Sequence, residues 1–524
     1  MTLTQWFIFF LIMQVVHFAG TWKLYKKAGR QAWEAAIPIY NAIILMKIIN
    51  RPKWWVILLF VPIVNLIMFP VVWVETLRSF GKNSTLDTAL GVLTLGLYIY
   101  YVNYTQDVTY VENRSLHPKD KTADTISSLL FAIVVATLVH TYVMQPFTIP
   151  TGSLEKTLLV GDFLFVSKNH YGARTPMTTV AAPMVHDTIP VLNVKSYLNK
   201  PQLPYFRFPA FEQVEKNDIV VFNWPVDTVQ DFKGTYATGI RKPIDKKTNY
   251  VKRCVGTPGD SLSFVDGVAF INGQELKLSD RAKVQYSYKV ATVGGSMLDP
   301  TYLTRDLKIY PTDIGFNQAD NTYFFISLTA ENAEKLKNNP TVESVTKLIS
   351  KKGENPDNRI FPYTKNWNQD NLGPIYIPQA GKTVKLDKQT LPFYRMIIHE
   401  YEGNDLKVNG DEIRINNQIV NSYTFKQDYY YMVGDNRHNS LDSRYWGFVP
   451  ADHVVGKPVF IWMSIDPSIP WSKAFDKIRW ERLFTTVGGN GEPVSYFLIF
   501  VILLGGYFVA DFVIKRKKRK ASKY

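Results

Sequence analysis

Residues 147–168 read FTIPTGSLEKTLLVGDFLFVSK and follow an almost wholly apolar run at 126–143. The stretch places Ser153 between Gly152 and Leu154 just where a chain would leave a membrane, with no histidine nearby in the sequence. From 145 to about 493 no further run is long and apolar enough to span a bilayer; strand-like segments alternate instead, separated by Gly, Asn and Pro. The stretch therefore opens a water-soluble, mainly β domain, and the first question it raises is what would take a proton from that serine.

Upstream of 147 the chain reads as membrane. The run at 6–19 is short of the roughly 20 residues a spanning helix needs and is extended by Thr4 and Trp22. No basic segment precedes it, whereas KLYKKAGR follows at 23–30, which argues against a cleaved signal peptide and puts the basic loop in the cytoplasm. Residues 54–74 and 86–102 are two further candidate spans, and 35–49, interrupted by Asn41 and Lys47, is expected to be interfacial or partly inserted. The polar loop at 105–122, with Arg114, Lys119 and Lys121, should lie inside, so that 126–143 crosses outward. Downstream, the apolar run at 496–514 is stopped on the inner side by KRKKRK at 515–520.

The bulk numbers agree with this division. A chain of 524 residues with 46% hydrophobic and 14% aromatic side chains has room for two or three packed units and is not disordered. Much of the formal charge of +15 sits in the tail KRKKRKASKY, which after an apolar run reads as a topology signal rather than a nucleic-acid site. One cysteine, Cys254, excludes an intramolecular disulfide and a cysteine-based metal cluster; it reads as a small buried apolar side chain. The eight histidines have no metal-ligand spacing, and no metal or other cofactor is expected.

Within the soluble part, DGVAFINGQEL at 266–276 and NGDEIRINNQIVN at 409–421 read as strand-turn-strand units, because Asn272-Gly273 and Asn416-Asn417 tolerate the positive φ of tight hairpin turns. The less patterned stretch at 277–390 reads as an inserted subdomain. Three segments carry reactive groups: IPTGSLEKTLLVGD at 149–162, YVKRCVGTPGD at 250–260 and GDNRHNSLDSRYWGFVP at 434–450. A serine hydroxyl attacks an amide only if a base takes its proton. The histidines of this part, His170, His186, His399, His438 and His453, stand in no recognisable triad setting. A lysine can serve if its amine is neutral, and lowering its pKa from about 10.4 to about 8 corresponds to roughly 3 kcal/mol disfavouring the charged form. Lys252, beside Val251, Cys254 and Val255 in a strand pattern, could point into such an apolar interior, with Arg253 facing the other way.

Taken in order, these three segments resemble type I signal peptidases of bacteria, membrane-bound serine/lysine endopeptidases. A fourth piece, NDIVVFNWP at 217–225, resembles a strand of the same family, and the resemblance extends from Gln145 to Val449. It implies Ser153 as nucleophile, Lys252 as general base, and Ser440 as the hydroxyl that orients the lysine. It also implies an oxyanion hole from the Ser153 N–H and the Thr151 hydroxyl, and a structural ion pair of Asp442 with Arg444. Substrate would lie extended beside Phe147, Ile149 and Pro150 on one side and Asn249, Tyr250 and Val251 on the other, adding as a strand. Further implications are a mainly β catalytic domain of antiparallel sheets flanked by transmembrane helices, and signal peptides of exported preproteins as partners, along with the lipid bilayer and the secretion machinery. The location implied is the bacterial cytoplasmic (inner) membrane, multi-pass, with the catalytic domain on the outer, periplasmic side. The expected division is a membrane module at 1–123, a spanning helix at 124–144, a catalytic core in two parts at 145–276 and 391–484 around the insertion at 277–390, a C-terminal span at 494–514 and a basic cytoplasmic tail at 515–524.

The sequence departs from the family at Leu154, where methionine is usual, at Glu155-Lys156, and at His438. Ser153 to Lys156 is also literally S-x-x-K, the signature of penicillin-binding enzymes with Lys156 as base, but the S-D-N and K-T-G companions of that chemistry do not occur. A third reading is a membrane scaffold with an inactive protease-like domain; retention of Ser153, Lys252 and Ser440 together argues against it.

Overall fold

The computed structural model describes residues 1–116, 121–227 and 242–521. Lys119 of the polar loop and the last three residues of the basic tail lie outside the described residues. The N-terminal part is helical: α1 (Leu3–Lys27), α2 (Tyr40–Ile48), α3 (Trp55–Leu58), α4 (Asn65–Ser79), α5 (Thr85–Leu93), α6 (Tyr98–Thr105) and α7 (Lys121–Leu138), the last continued by a π-helical turn at Val139–Val143. Among the described residues, three helices are each long and apolar enough to cross a membrane: Leu3–Lys27, Lys121–Val143 and Phe497–Lys517.

One expected span is corrected and a second is bent. Residues 54–74 do not form one helix, because Pro62 and Ile63, the latter at φ 70°, break the chain between α3 and α4. Residues 86–102 lie in two helices, α5 and α6, bent by 119° at Leu95 and Gly96, both with positive φ; together the pair is long and apolar enough for one broken span. The segment expected to be interfacial contains α2, whose Asn41, Ile44, Leu45, Met46 and Ile48 are buried among the other helices. The Asn41 amide donates to Gln14 Oε1 at 2.8 Å and the Asn41 carbonyl accepts from the Tyr25 hydroxyl at 2.7 Å, so the polarity of Asn41 is satisfied inside the bundle, while Lys47 is exposed.

The remainder is mainly β, as the alternating pattern predicts. Its central sheet holds β1 (Met144–Thr148), β2 (Asp162–Ser167), β3 (Ile219–Asn223), β4 (Asn249–Gly256), β5 (Tyr429–Val433), β6 (Val449–Pro450), β7 (Val454–Ser464) and β8 (Thr485–Thr486). The order is β1-β2-β7-β3-β4-β5-β6, with β8 on β7, and every pairing is antiparallel. The unbroken apolar run of β3 is explained by burial on both faces: Ile219 and Val221 pack with Ile149, Leu154 and Leu164, whereas Val220 and Phe222 pack with Cys254, Met432 and Trp446.

Both expected hairpins form, turning at Asn272-Gly273 (φ 53° and 82°) and at Asn416-Asn417 (φ 51° and 66°). Within 277–390, four strands at Gln285–Thr292, Ile314–Asn317, Thr322–Thr329 and Val342–Lys347 make a separate sheet, backed by a helix at Ala330–Lys337. Val290, Phe325 and Leu336 form its core. Further along, Leu372–Tyr376 pairs with Ser261–Val265 and joins a different core, with Leu262, Ile375 and Tyr431.

Candidate active site

Ser153 is the middle residue of a 3₁₀ turn, Gly152–Leu154, that follows β1. Leu154, buried with Leu158 and Val221, pins the turn to the sheet, and Ser153 itself is only 7% exposed. From β4 the side chain of Lys252, 3% exposed, reaches the Ser153 hydroxyl and the two are hydrogen-bonded. Burial lowers the Lys252 amine to about 8; the Asp442 carboxylate works against that shift and the Arg444 guanidinium with it. A buried amine near neutrality against a buried alcohol can carry out general-base activation of that alcohol. Lys156 of the S-x-x-K reading points elsewhere, donating to the Lys308 carbonyl.

The loop after β5 holds the turn from behind. Asn436 donates its N–H to the Ser153 carbonyl at 3.1 Å and its side-chain amide to the Gly152 carbonyl at 3.0 Å. Asp435 receives Arg253 through two hydrogen bonds of 2.7 and 2.6 Å, both residues buried, and the Thr157 hydroxyl at 2.7 Å. Strand alternation thus sends Lys252 to the serine and its neighbour Arg253 to the carboxylate. At Gly434 a Cβ would stand 2.6 Å from the Ser153 carbonyl oxygen and 2.2 Å from Ser440 Oγ, so only glycine allows this approach. Asp442 and Arg444 form a fully buried ion pair through two 2.9 Å contacts, and Asp442 also accepts from the Gly434 N–H at 3.1 Å.

The other residues singled out in the sequence fall into two groups. Phe147, Ile149 and Val251 share one hydrophobic cluster with Leu154. β1 is an edge strand, and the first residues of β4 pair with β3 alone, since β5 joins only from Arg253 onward; both segments therefore leave a backbone edge open for an extended chain. Pro150 is exposed at the end of that edge. In contrast, Tyr250 packs on Trp224 and Trp446, and its ring lies 5.4 Å from Lys252 Nζ. The Asn249 amide meets Asn223 at 3.1 Å and His186 at 3.4 Å, away from the serine. Thr151 is exposed at the N-cap of the turn and its hydroxyl caps nothing. Ser440 Oγ, buried against Gly434, does not bond Lys252 and has no well-formed hydrogen bond; it lies close enough to help hold the Asp442 carboxyl below its ordinary range, where Arg444 is the main favourable cause against burial.

Two supports were not legible in the sequence. Gln285, 1% exposed and from the separate four-stranded sheet, donates to the Glu155 carbonyl at 2.6 Å and pairs through its backbone with Asp435 and Arg437. Ser327, from the same sheet, accepts the Asn436 amide at 2.8 Å. This four-stranded sheet thus braces the nucleophile turn through Glu155 and Asn436.

Glu155 is 3% exposed and its carboxyl oxygens make no well-formed hydrogen bond among the described residues, with the Val160 and Lys156 backbone N–H groups nearest. Burial pushes it up to about 7 against the pull of Lys156. Between its ordinary value of 4.5 and about 7 the folded chain keeps a proton that the unfolded chain has released, so stability falls as pH rises through that window. Glu155→Gln is expected to remove this dependence and to stabilise the protein above pH 7 by up to about 3 kcal/mol, read from unfolding midpoints at pH 5 and pH 8; equal midpoints for the two proteins at pH 8 would contradict it.

The chain belongs to the family described as signal peptidase, peptidase S26, which matches residues 122–334 and 377–463, more than half of the sequence. Members are serine peptidases, and the resemblance read from the motifs holds. Among curated relatives, a signal peptidase I of Buchnera aphidicola subsp. Baizongia pistaciae is 24% identical over 375 residues, covering 70% of this chain and 86% of the relative. The signal peptidase I of Haemophilus influenzae is 24% identical over 388 residues, 72% of this chain and 79% of the relative. That of Rickettsia canadensis is 26% identical over 220 residues, 38% and 69%. A separate family of unknown function, DUF5684, matches residues 33–113 in the helical module.

Proposed function

We propose that this protein removes signal peptides from exported preproteins by a Ser153–Lys252 mechanism. The observation that carries the reading is the buried hydrogen bond between the two side chains, with the amine lowered to about 8. Neutral Lys252 accepts the hydroxyl proton as Ser153 attacks the scissile carbonyl, then delivers it to the leaving amine. An ester of Ser153 remains, and a water activated by the same amine releases the signal peptide's new carboxylate.

The substrate adds as a strand to the open edges beside Phe147, Ile149 and Pro150 and beside Asn249, Tyr250 and Val251. Its carbonyl oxygen is received by the Ser153 N–H and the Thr151 hydroxyl; the exposure of Thr151 leaves that hydroxyl available. Ser440, whose hydroxyl has no partner of good geometry, is available to turn from Asp442 toward Lys252 and orient it. Apolar helices leading into and out of the β domain suit a multi-pass protein with this domain on the outer face of the inner membrane, where the secretion machinery presents its substrate.

The test is to incubate the purified full chain in detergent with an exported preprotein and to sequence the product's N-terminus. Cleavage at the end of the signal peptide is expected. Uncut preprotein, or cuts scattered through the mature part, would overturn the reading.

A further inference from the structure

Where α7 meets the β domain there is a cavity of about 130 Å³, lined by the π-helical turn after α7 at His140, by Gln145 of β1, and by Lys168, Arg174 and Lys246. One carboxylate lines it, Asp245, and that is engaged by Thr178 through N–H and hydroxyl hydrogen bonds of 3.0 and 2.8 Å. The hydrogen-bond partners of the three cations are neutral, while the Asp245 and Asp452 carboxylates act through space on Arg174 and those of Asp245 and Asp187 on Lys246. Lys168 donates to Gln145 Oε1 at 2.6 Å; Arg174 donates to the Asp452 carbonyl at 2.6 Å and Asn223 Oδ1 at 2.7 Å. Lys246 donates to the Val185 carbonyl at 3.1 Å and lies 5.1 Å from the Tyr197 ring centroid. None of the three forms an ion pair among the described residues.

Lys168 and Lys246 are 9% and 5% exposed, so positive charge held out of water is met only by carboxylates that are already engaged, Asp245 by Thr178, Asp187 by Lys242 and Asp452 by His453. That is costly unless a counter-charge is supplied. Burial, together with the charge of Arg174 and Arg207, brings the Lys168 amine down to about 7, in keeping with a site short of an anion. The cavity's position narrows the chemistry. It lies at the end of the apolar helix Lys121–Val143, the level at which a spanning helix leaves hydrocarbon and meets lipid phosphates.

We propose that this cavity binds a phosphate-type oxyanion through Lys168, Arg174 and Lys246, either the phosphate of a phospholipid headgroup or free phosphate. The site is separate from the Ser153–Lys252 pair but adjoins its strand: Asn249, which lines the cavity, opens β4, and Lys252 follows three residues later. A bound anion would tie the end of α7, the start of β1 and the start of β4 to one point, fixing the β domain against the membrane surface.

The full chain purified in detergent provides the test. Native mass spectrometry reads retained phospholipid, and thermal unfolding is compared in sodium phosphate and in sodium chloride at equal ionic strength. Retained phospholipid that a Lys168→Met, Lys246→Met double variant loses would support the lipid source. A rise in the unfolding midpoint specific to phosphate, absent from the double variant, would support free phosphate. If the wild-type protein keeps no phospholipid and responds equally to the two salts, the proposal fails, whether or not the variant folds. It also fails if the double variant retains lipid and responds to phosphate as the wild type does. Neither readout depends on peptidase activity, so this site and the proteolytic reading fail separately.

Discussion

Ser153→Ala and Lys252→Met are each expected to lower precursor cleavage by about 10⁴-fold or more, and the double variant to be no worse than either single one. The non-additivity follows from the geometry. The alcohol and the amine make one hydrogen-bonded unit, and on the proposed mechanism losing either disables the same step. Lys252→Met should leave the fold intact: the side chain is buried, its amine already lies well below the ordinary lysine value, and methionine fills similar volume without a charge to desolvate. Cleavage of a preprotein and melting of the same samples give both readouts. Lys156→Ala serves as the control, since its amine is hydrogen-bonded to Lys308 and not to the serine. Comparable activity of wild type and Lys252→Met would remove the lysine from the mechanism, and loss of activity in Lys156→Ala alone would reinstate the other reading.

The second large effect is on stability. Arg444→Met is expected to destabilise the β domain by about 3–5 kcal/mol, because it leaves the Asp442 carboxylate buried with its charge unpaired. In a domain of this size that lowers the melting midpoint by on the order of 10 °C. The damage should reach the site, since Asp442 fixes the Gly434 N–H and Gly434 packs against the Ser153 carbonyl. Replacing both partners, Asp442→Leu with Arg444→Met, should cost less than the single change, as no charge is then stranded. A double variant as unstable as Arg444→Met would mean that packing rather than charge dominates there.

What could be read from sequence were features set by local chemistry. The apolar alternation around Lys252 places it on a strand with Arg253 facing away, and Asn272-Gly273 and Asn416-Asn417 specify their own turns. The breaks in the membrane module were missed because hydropathy counts apolar residues and does not register that Pro62-Ile63 and Leu95-Gly96 bend the backbone. Gln285 and Ser327 were missed for another reason. They act on residues more than a hundred positions away, through a polar side chain whose local sequence resembles any strand's. Ser440 lies beside the site with its hydroxyl near Asp442 and does not bond Lys252.

The measurement closest to the centre of this account is the pH dependence of kcat/KM for preprotein cleavage, taken in the Glu155→Gln background so that the carboxyl that titrates near 7 does not contribute. The amine must be neutral to accept the serine proton, so activity should be low in acid and rise through an apparent pKa of about 8. A flat profile from about pH 6 to about pH 10, or a midpoint at the free-lysine value of about 10.4, would contradict it.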